Sequence, residues 1–95
     1  MDLSDIKILD LTQLLPGPYA TQLLADMGAD VVKIERPGSG EAGRAMSELP
    51  GWTQYLFEAV NDGKKSVTLD LTNEQELDAF YRLVEKADVV IEQFR

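Results

Sequence analysis

Ile8-Leu9-Asp10-Leu11-Thr12 and Gly28-Ala29-Asp30-Val31-Val32-Lys33-Ile34-Glu35 decide how this chain folds, because what lies between them fits one helix and its two turns. Ile6 to Leu11 is apolar or β-branched at most positions, a strand pattern closed by Thr12 and by Pro16-Gly17-Pro18. Pro16 and Pro18 lack an amide hydrogen, so a helix is predicted to open at that point, over about 19–27, with Pro18 as its pre-set first residue. Ala20, Leu23, Leu24 and Met27 recur at three- and four-residue steps as its apolar stripe, and Gly28 supplies a left-handed cap. A second strand is predicted over 29–35 and ends at Arg36-Pro37-Gly38-Ser39-Gly40, which leaves Lys33 and Glu35 near its carboxyl end.

Outward from this unit the pattern repeats. Ser66 to Leu71 reads as a third strand, followed by a helix with Thr72 as N-cap and Gln75 three residues on, the spacing of a capping box. Leu77, Phe80, Tyr81, Val84 and Ala87 share one face, acids crowd the first turns, and Arg82 and Lys86 lie in later ones, which suits the helix dipole. Asp88 to Glu92 reads as a fourth strand. Asp10-Leu11-Thr12 precedes Ala29-Asp30-Val31-Val32 much as Asp70-Leu71-Thr72 precedes Ala87-Asp88-Val89-Val90. Both are strand-helix-strand spans, and such crossovers are right-handed and bring strands into parallel order. Between the two units a short helix is predicted over 44–49 and an amphipathic one from Trp52 to Val60, its aromatics in the core. The expected fold is α/β, a Rossmann-like, mostly parallel sheet with crossover helices. The chain stops after a strand with no helix to cover it, so an incomplete part of a larger domain is expected, or else cover by a partner subunit.

Composition narrows the chemistry. Ninety-five residues bury only about two-thirds of their unfolded surface, enough for one small domain. The chain has no cysteine and no histidine, which excludes disulfides, thiolate nucleophiles, histidine triads and histidine- or cysteine-bound zinc. No metal is expected. Nine basic residues against 17 acidic ones give a net charge of -8, which argues against nucleic acid or an anionic membrane as partner. The start is acidic, no apolar run reaches spanning length, and a cytoplasmic location is expected.

Charge is unevenly spread: residues 1–32 and 66–95 carry -4 each, whereas 33–65 balance five bases against five acids. Lys33, Arg36, Arg44, Lys64 and Lys65 fall in that middle third beside glycine-containing turns, as solubilising surface charge or as contacts to a phosphate. Open α/β sheets bind ligands at the carboxyl ends of their strands, which directs attention to 12–18, 35–40, Thr72 and 92–95. The dinucleotide fingerprint is absent, since the first turn has one glycine where three are needed, and no Gly-Lys-Ser/Thr follows Gly38-Ser39-Gly40. Glu35 sits where an acid would take a ribose hydroxyl, but Arg36 beside it favours a phosphate. Asp10 and Asp70 read as strand-end groups bonded to neighbouring loops or as ligand-facing carboxylates, and neither is nominated as acid or nucleophile.

The ordered words Ile8-Leu9-Asp10-Leu11-Thr12, Leu15-Pro16-Gly17-Pro18-Tyr19-Ala20 and Leu24 through Gly38 resemble the opening of the class III CoA-transferases. Lys64 through Leu71 and Ala87 through Arg95 are similar to that family too. It includes formyl-CoA transferase, carnitine CoA-transferase and α-methylacyl-CoA racemase. The resemblance implies that residues 1–95 are the amino-terminal part of a Rossmann-like, CoA-binding large domain, in a protein that interlocks as a homodimer. It implies coenzyme A or acyl-CoA as substrate and a carboxylic acid as acceptor. Transferases of the family attack the thioester with an aspartate and pass through mixed-anhydride and aspartyl-CoA intermediates; racemases use a His and Asp pair. Both sets would lie beyond Arg95, so no catalytic residue is expected within this chain.

The resemblance carries seven CoA contacts over by position. Leu15 and Pro16 fall on a glutamine and alanine that line the entrance, Arg36 on an arginine at the nucleotide end, Lys64 and Lys65 in a basic segment near the CoA phosphates, and Gln93 and Phe94 on an asparagine-phenylalanine pair. Leu15 and Gln93 depart from the formyl-CoA pattern, and Leu-Leu-Pro-Gly-Pro is closer to racemase-type members. Three readings follow: a CoA-transferase, a racemase of 2-methylacyl-CoA, and a catalytically silent fragment or small acidic interaction module. The cationic groups are expected to converge at one sheet edge.

Overall fold

The computed structural model describes residues 2–94; the side chain of Trp52, expected in the core, lies outside the described set. Four strands, β1 (Lys7–Asp10), β2 (Asp30–Glu35), β3 (Lys65–Thr68) and β4 (Val89–Ile91), form one sheet in the order β3-β2-β1-β4. All three pairings are parallel, with Leu9 opposite Val32 on one side and Val90 on the other. Parallel pairing requires crossovers. Helix α1 (Pro16–Asp26) joins β1 to β2, and α4 (Glu74–Lys86) joins β3 to β4. The longer β2-to-β3 connection holds α2 (Ala42–Met46), a 3-10 turn (Trp52–Tyr55) and α3 (Leu56–Ala59).

Alternation along β1 assigns the two helices to opposite faces. Ile8 clusters with Ala29 and Val31 beneath Leu24 and Ala25 of α1. Leu9 points the other way and joins Leu11 and Ile34 beneath Phe80, Leu83 and Val84 of α4. Burying each such side chain is worth about 1.5–3 kcal/mol. The chain runs from β1 outward to β3 and returns to the far side of β1, so the order of strands reverses between β1 and β4. The carboxyl ends at such a reversal leave a crevice. β3 and β4 are the sheet's two edges: Lys65 on β3 is 70% exposed along its side chain, whereas Val89 and Val90 on β4 are 40% and 43% exposed.

The expected elements are all present, but Tyr55, expected in the core, is 65% exposed, and four further departures are instructive. Helix α1 opens at Pro16, three residues early, because its first-turn amides need no intrahelical partner and prolines fit there. Its buried face is Pro18, Thr21 and Gln22, and of the expected stripe only Leu24 reaches the core; Leu15, Tyr19, Leu23 and Met27 form an outward row at four-residue steps. The third strand stops at Thr68 rather than Leu71, since Asp70 bends the chain by accepting from the Thr72 N–H at 2.9 Å. Asn73, not Thr72, then caps α4, accepting from the Glu76 N–H, and Glu76 reaches back to the Asp70 N–H. Gly28 has φ 103°, as a left-handed cap requires.

Candidate functional site

At the carboxyl end of β1 the chain buries charge. Asp10 is fully buried, and its Oδ2 accepts from Thr21 Oγ1 at 2.6 Å and from Lys64 Nζ at 3.0 Å, with Lys33 Nζ at 3.7 Å. Its Oδ1 accepts from the Thr12 amide and hydroxyl. Burial pushes this carboxyl up, but the Thr12 and Thr21 hydrogen bonds and the Lys33 charge outweigh it and hold Asp10 below the usual carboxylate range. Lys64 Nζ also donates to Pro18 O at 3.1 Å and Asn61 Oδ1 at 2.7 Å, which commits all its protons. Burial dominates there and lowers the Lys64 pKa despite the attraction of Asp10.

Beside this cluster Glu35 receives a forked pair from Arg44, 2.7 Å from Nε and 2.8 Å from the guanidinium NH2, as well as the Glu41 amide at 2.8 Å and the Ser66 hydroxyl. The Arg44 hydrogen bond is the main reason that its pKa falls to about 2. Arg44 lies 4.0 Å over the Phe57 ring. Glu35 is therefore a structural acid, not a ribose acceptor, and Arg44 is spent on it.

The turn after β1 is held from several sides. Lys33 Nζ donates to Thr12 O at 3.0 Å, Gln93 Nε2 to Gln13 O at 3.1 Å, and the Leu14 amide to Glu41 Oε1 at 2.9 Å. Arg36 donates from its guanidinium to Gln13 Oε1 at 3.0 Å. A side chain at Gly17 would collide with Thr12 and Gln93, so the turn and the start of α1 pack backbone to side chain. Next to this turn opens a cleft of about 440 Å³. Leu11, Ile34, Leu69 and Leu71 form its apolar floor, and Gln13, Arg36, Thr72 and Phe94 surround it together with the carboxylates of Glu35, Glu41 and Asp70, the first two already bonded to internal partners. Phe94 is 62% exposed, a ring presented to solvent over an apolar cleft.

The structure thus gathers part of the expected site. Arg36, Gln93 and Phe94 meet around Gln13, and Leu15 and Pro16 follow directly at the exposed start of α1. Among the described residues Arg36 makes no ion pair. Lys64 is internal, and Lys65 starts β3 opposite Val32, facing Asp30 at 3.3 Å. Arg36 follows the other end of β2, about 13 Å along the strand. The expected convergence of cations is therefore corrected to Arg36 alone, because parallel register places Lys64 and Lys65 at the start of a strand and Arg36 after the end of one. Gln13 and Thr72 lie in the strand-end segments singled out from sequence, and Asp70 borders the cleft as a ligand-facing carboxylate would; Glu41, Leu69 and Leu71 were not anticipated, and the repeated Asp-Leu-Thr was the available signal for Leu71.

Residues 3–95 match CoA-transferase family III. The chain belongs to that family. It is 50% identical to the succinyl-CoA:mesaconate CoA-transferase of Haloarcula hispanica over 98% of its own length and 24% of that protein's. It is 47% identical to the probable fatty acyl-CoA transferase Rv3272 of Mycobacterium tuberculosis. The crystal structure of the D175A mutant of Rv3272 superposes with a TM-score of 0.89, covering 98% of this chain and 25% of that one. A CAIB/BAIF family protein from Brucella suis, 38% identical, superposes at 0.85 over 97% of this chain and 25% of that one. This family III chain spans about a quarter of the length of the curated relatives it matches.

Proposed function

We propose that these residues are the amino-terminal, nucleotide-holding part of the large domain of a CoA-transferase, and that the cleft beside Arg36 receives the phosphorylated end of coenzyme A or an acyl-CoA. The observation that carries this reading is a guanidinium without a carboxylate partner among the described residues, set at the rim of an apolar cleft where the strand order reverses. An adenine ring suits the floor of Leu11, Ile34, Leu69 and Leu71, and a phosphate suits Arg36. Gln93 and Phe94, with Leu15 and Pro16, then border the path from the nucleotide towards the thioester. Lys64 supports the turn from inside, and Lys65 takes no part in this reading.

Transfer of CoA between carboxylic acids through an aspartyl intermediate is the proposed reaction, with the aspartate supplied outside residues 1–95 and the whole protein an interlocked homodimer in the cytoplasm. Residues 1–95 bind and orient; Asp10 and Glu35 are committed to internal partners and do not attack a thioester. The transferase names of the relatives favour this reading over racemisation.

Calorimetric titration of CoA against the protein and its Arg36→Glu variant, at two ionic strengths, tests it. Loss of a charge-assisted hydrogen bond should weaken binding roughly ten- to a hundredfold and flatten its salt dependence. Identical isotherms would remove Arg36 from the site.

A further inference from the structure

Leu14 is the only non-glycine residue with positive φ among the described residues, at 67°. An L-residue there is strained, and such strain persists only where its surroundings over-determine it. Leu14 is also 41% exposed, so its own side chain does not hold it there. Two buried side chains do. Lys33, 1% exposed, fixes Thr12 O on one side of the turn, and Glu41, 3% exposed, fixes the Leu14 amide on the other. The two are paired to each other, Nζ to Oε1, at 3.3 Å. Glu41 is itself anchored, since its Oε2 accepts from the Gly43 amide at the start of α2 and its own amide is bonded to Glu35. One ion pair thereby spans the turn and connects it to β2 and α2.

The geometry points to Glu41 as a positioning residue: paired with Lys33, it clamps the Thr12-to-Leu15 turn in its strained form and so sets where Gln13, Leu15 and Pro16 stand at the mouth of the CoA cleft. The consequence for CoA rests on the function proposed above; the clamp does not. Gln13 is the link between the two, because its carbonyl is held by Gln93 and its side chain by Arg36. A turn released at Leu14 would move the group that orients Arg36; because Glu41 also lines the cleft, the Leu14→Gly background is what separates this effect from the loss of its charge there.

The experiment uses Glu41→Gln, which keeps an acceptor but loses the charge, and the same change in a Leu14→Gly background, where positive φ carries no strain. Amide hydrogen exchange is read at Leu14 and, as an internal control, at Val31, and CoA affinity is read by calorimetry. E41Q should speed Leu14 exchange about tenfold and weaken CoA binding by a similar factor, the change expected when a charge-assisted hydrogen bond becomes a neutral one, with Val31 unaltered. In the L14G background the loss of affinity on adding E41Q should shrink to less than half. Unchanged Leu14 exchange in E41Q, or equal affinity losses in the two backgrounds, would overturn the clamp. If E41Q fails to fold, Lys33→Met is read in the same way, and protection at Leu14 matching the parent overturns it. If the parent protein binds no CoA, the proposed function fails, and the clamp is judged on exchange alone.

Discussion

Asp10-Leu11-Thr12 and Asp70-Leu71-Thr72 are the same three residues after two strands, and they make the same turn. In each, the aspartate Oδ1 accepts from the threonine amide, at 2.8 and 2.9 Å, and from its hydroxyl at 2.5 Å. Their surroundings differ. Asp10 ends a central strand, is sealed by α1, and answers two lysines from β2 and the loop before β3. Asp70 follows an edge strand and borders the open cleft, its pKa lowered mainly by Thr72. Identical local chemistry therefore serves an internal charge cluster in one place and the wall of a binding cleft in the other; position in the sheet decides which.

The sharpest way to break this comparison is to neutralise each aspartate. Asp10→Asn should cost about 3–5 kcal/mol in a urea melt, since it strips the buried Lys33 and Lys64 of a counter-charge. Asp70→Asn should barely move the midpoint. Similar losses from both would mean that burial does not distinguish them.

Acid provides the next contrast. Glu35 titrates at about 2 when folded against an ordinary 4.5, so between those values the unfolded chain holds more protons than the folded one. Its contribution is complete above pH 4.5 and drains away as pH falls towards 2; Asp10, also depressed, acts in the same direction. Urea midpoints taken stepwise from pH 5 to 2.5 should decline, and Arg44→Met should remove much of that slope. An unaltered slope in R44M would show that the forked pair is not its source.

A smaller effect is expected at Gly17. Its missing side chain lets α1 approach Thr12 and Gln93, and Gly17→Ala should cost about 1–3 kcal/mol through overpacking. The second unit has no glycine between Leu71 and Arg95, so the close approach belongs to the first turn alone. Thermal denaturation measures it, and an unshifted midpoint would mean that the first turn has slack.

These contrasts also explain what could be read from sequence. Strand positions were legible because Ile6 to Leu11 and Ala29 to Glu35 are apolar or β-branched at most positions and end at proline- and glycine-containing turns, and the dipole-matched α4 was legible by its periodicity, with its cap misplaced by one residue. The inward face of α1 was not, because Thr21 is buried to meet Asp10 and Gln22 is buried beside it with its Nε2 on Asp26 and its Oε1 unpartnered among the described residues, whereas apolar periodicity reports only greasy faces. The cationic third misled in the same way: sequence gives the sign of Lys64 but not the carboxylate that neutralises it 54 positions away. Phe94 was found through the family's wording, and Arg36 through that wording and through its place in the cationic third beside a glycine-containing turn. Glu41 had no local signature at all, because its task depends on a turn 27 residues earlier.

The two borders of the sheet carry a practical consequence for handling this chain. The β3 border has a hydrated ammonium on it, which discourages another backbone from docking, whereas the Val89-Val90-Ile91 border offers aliphatic groups and free peptide dipoles, flanked only by Asp88 and Glu92. Mutual repulsion from the net charge of -8 opposes stacking of copies along that border. Concentrated stocks should stay clear longest in dilute buffer near neutrality, and added electrolyte or acid should cloud them first.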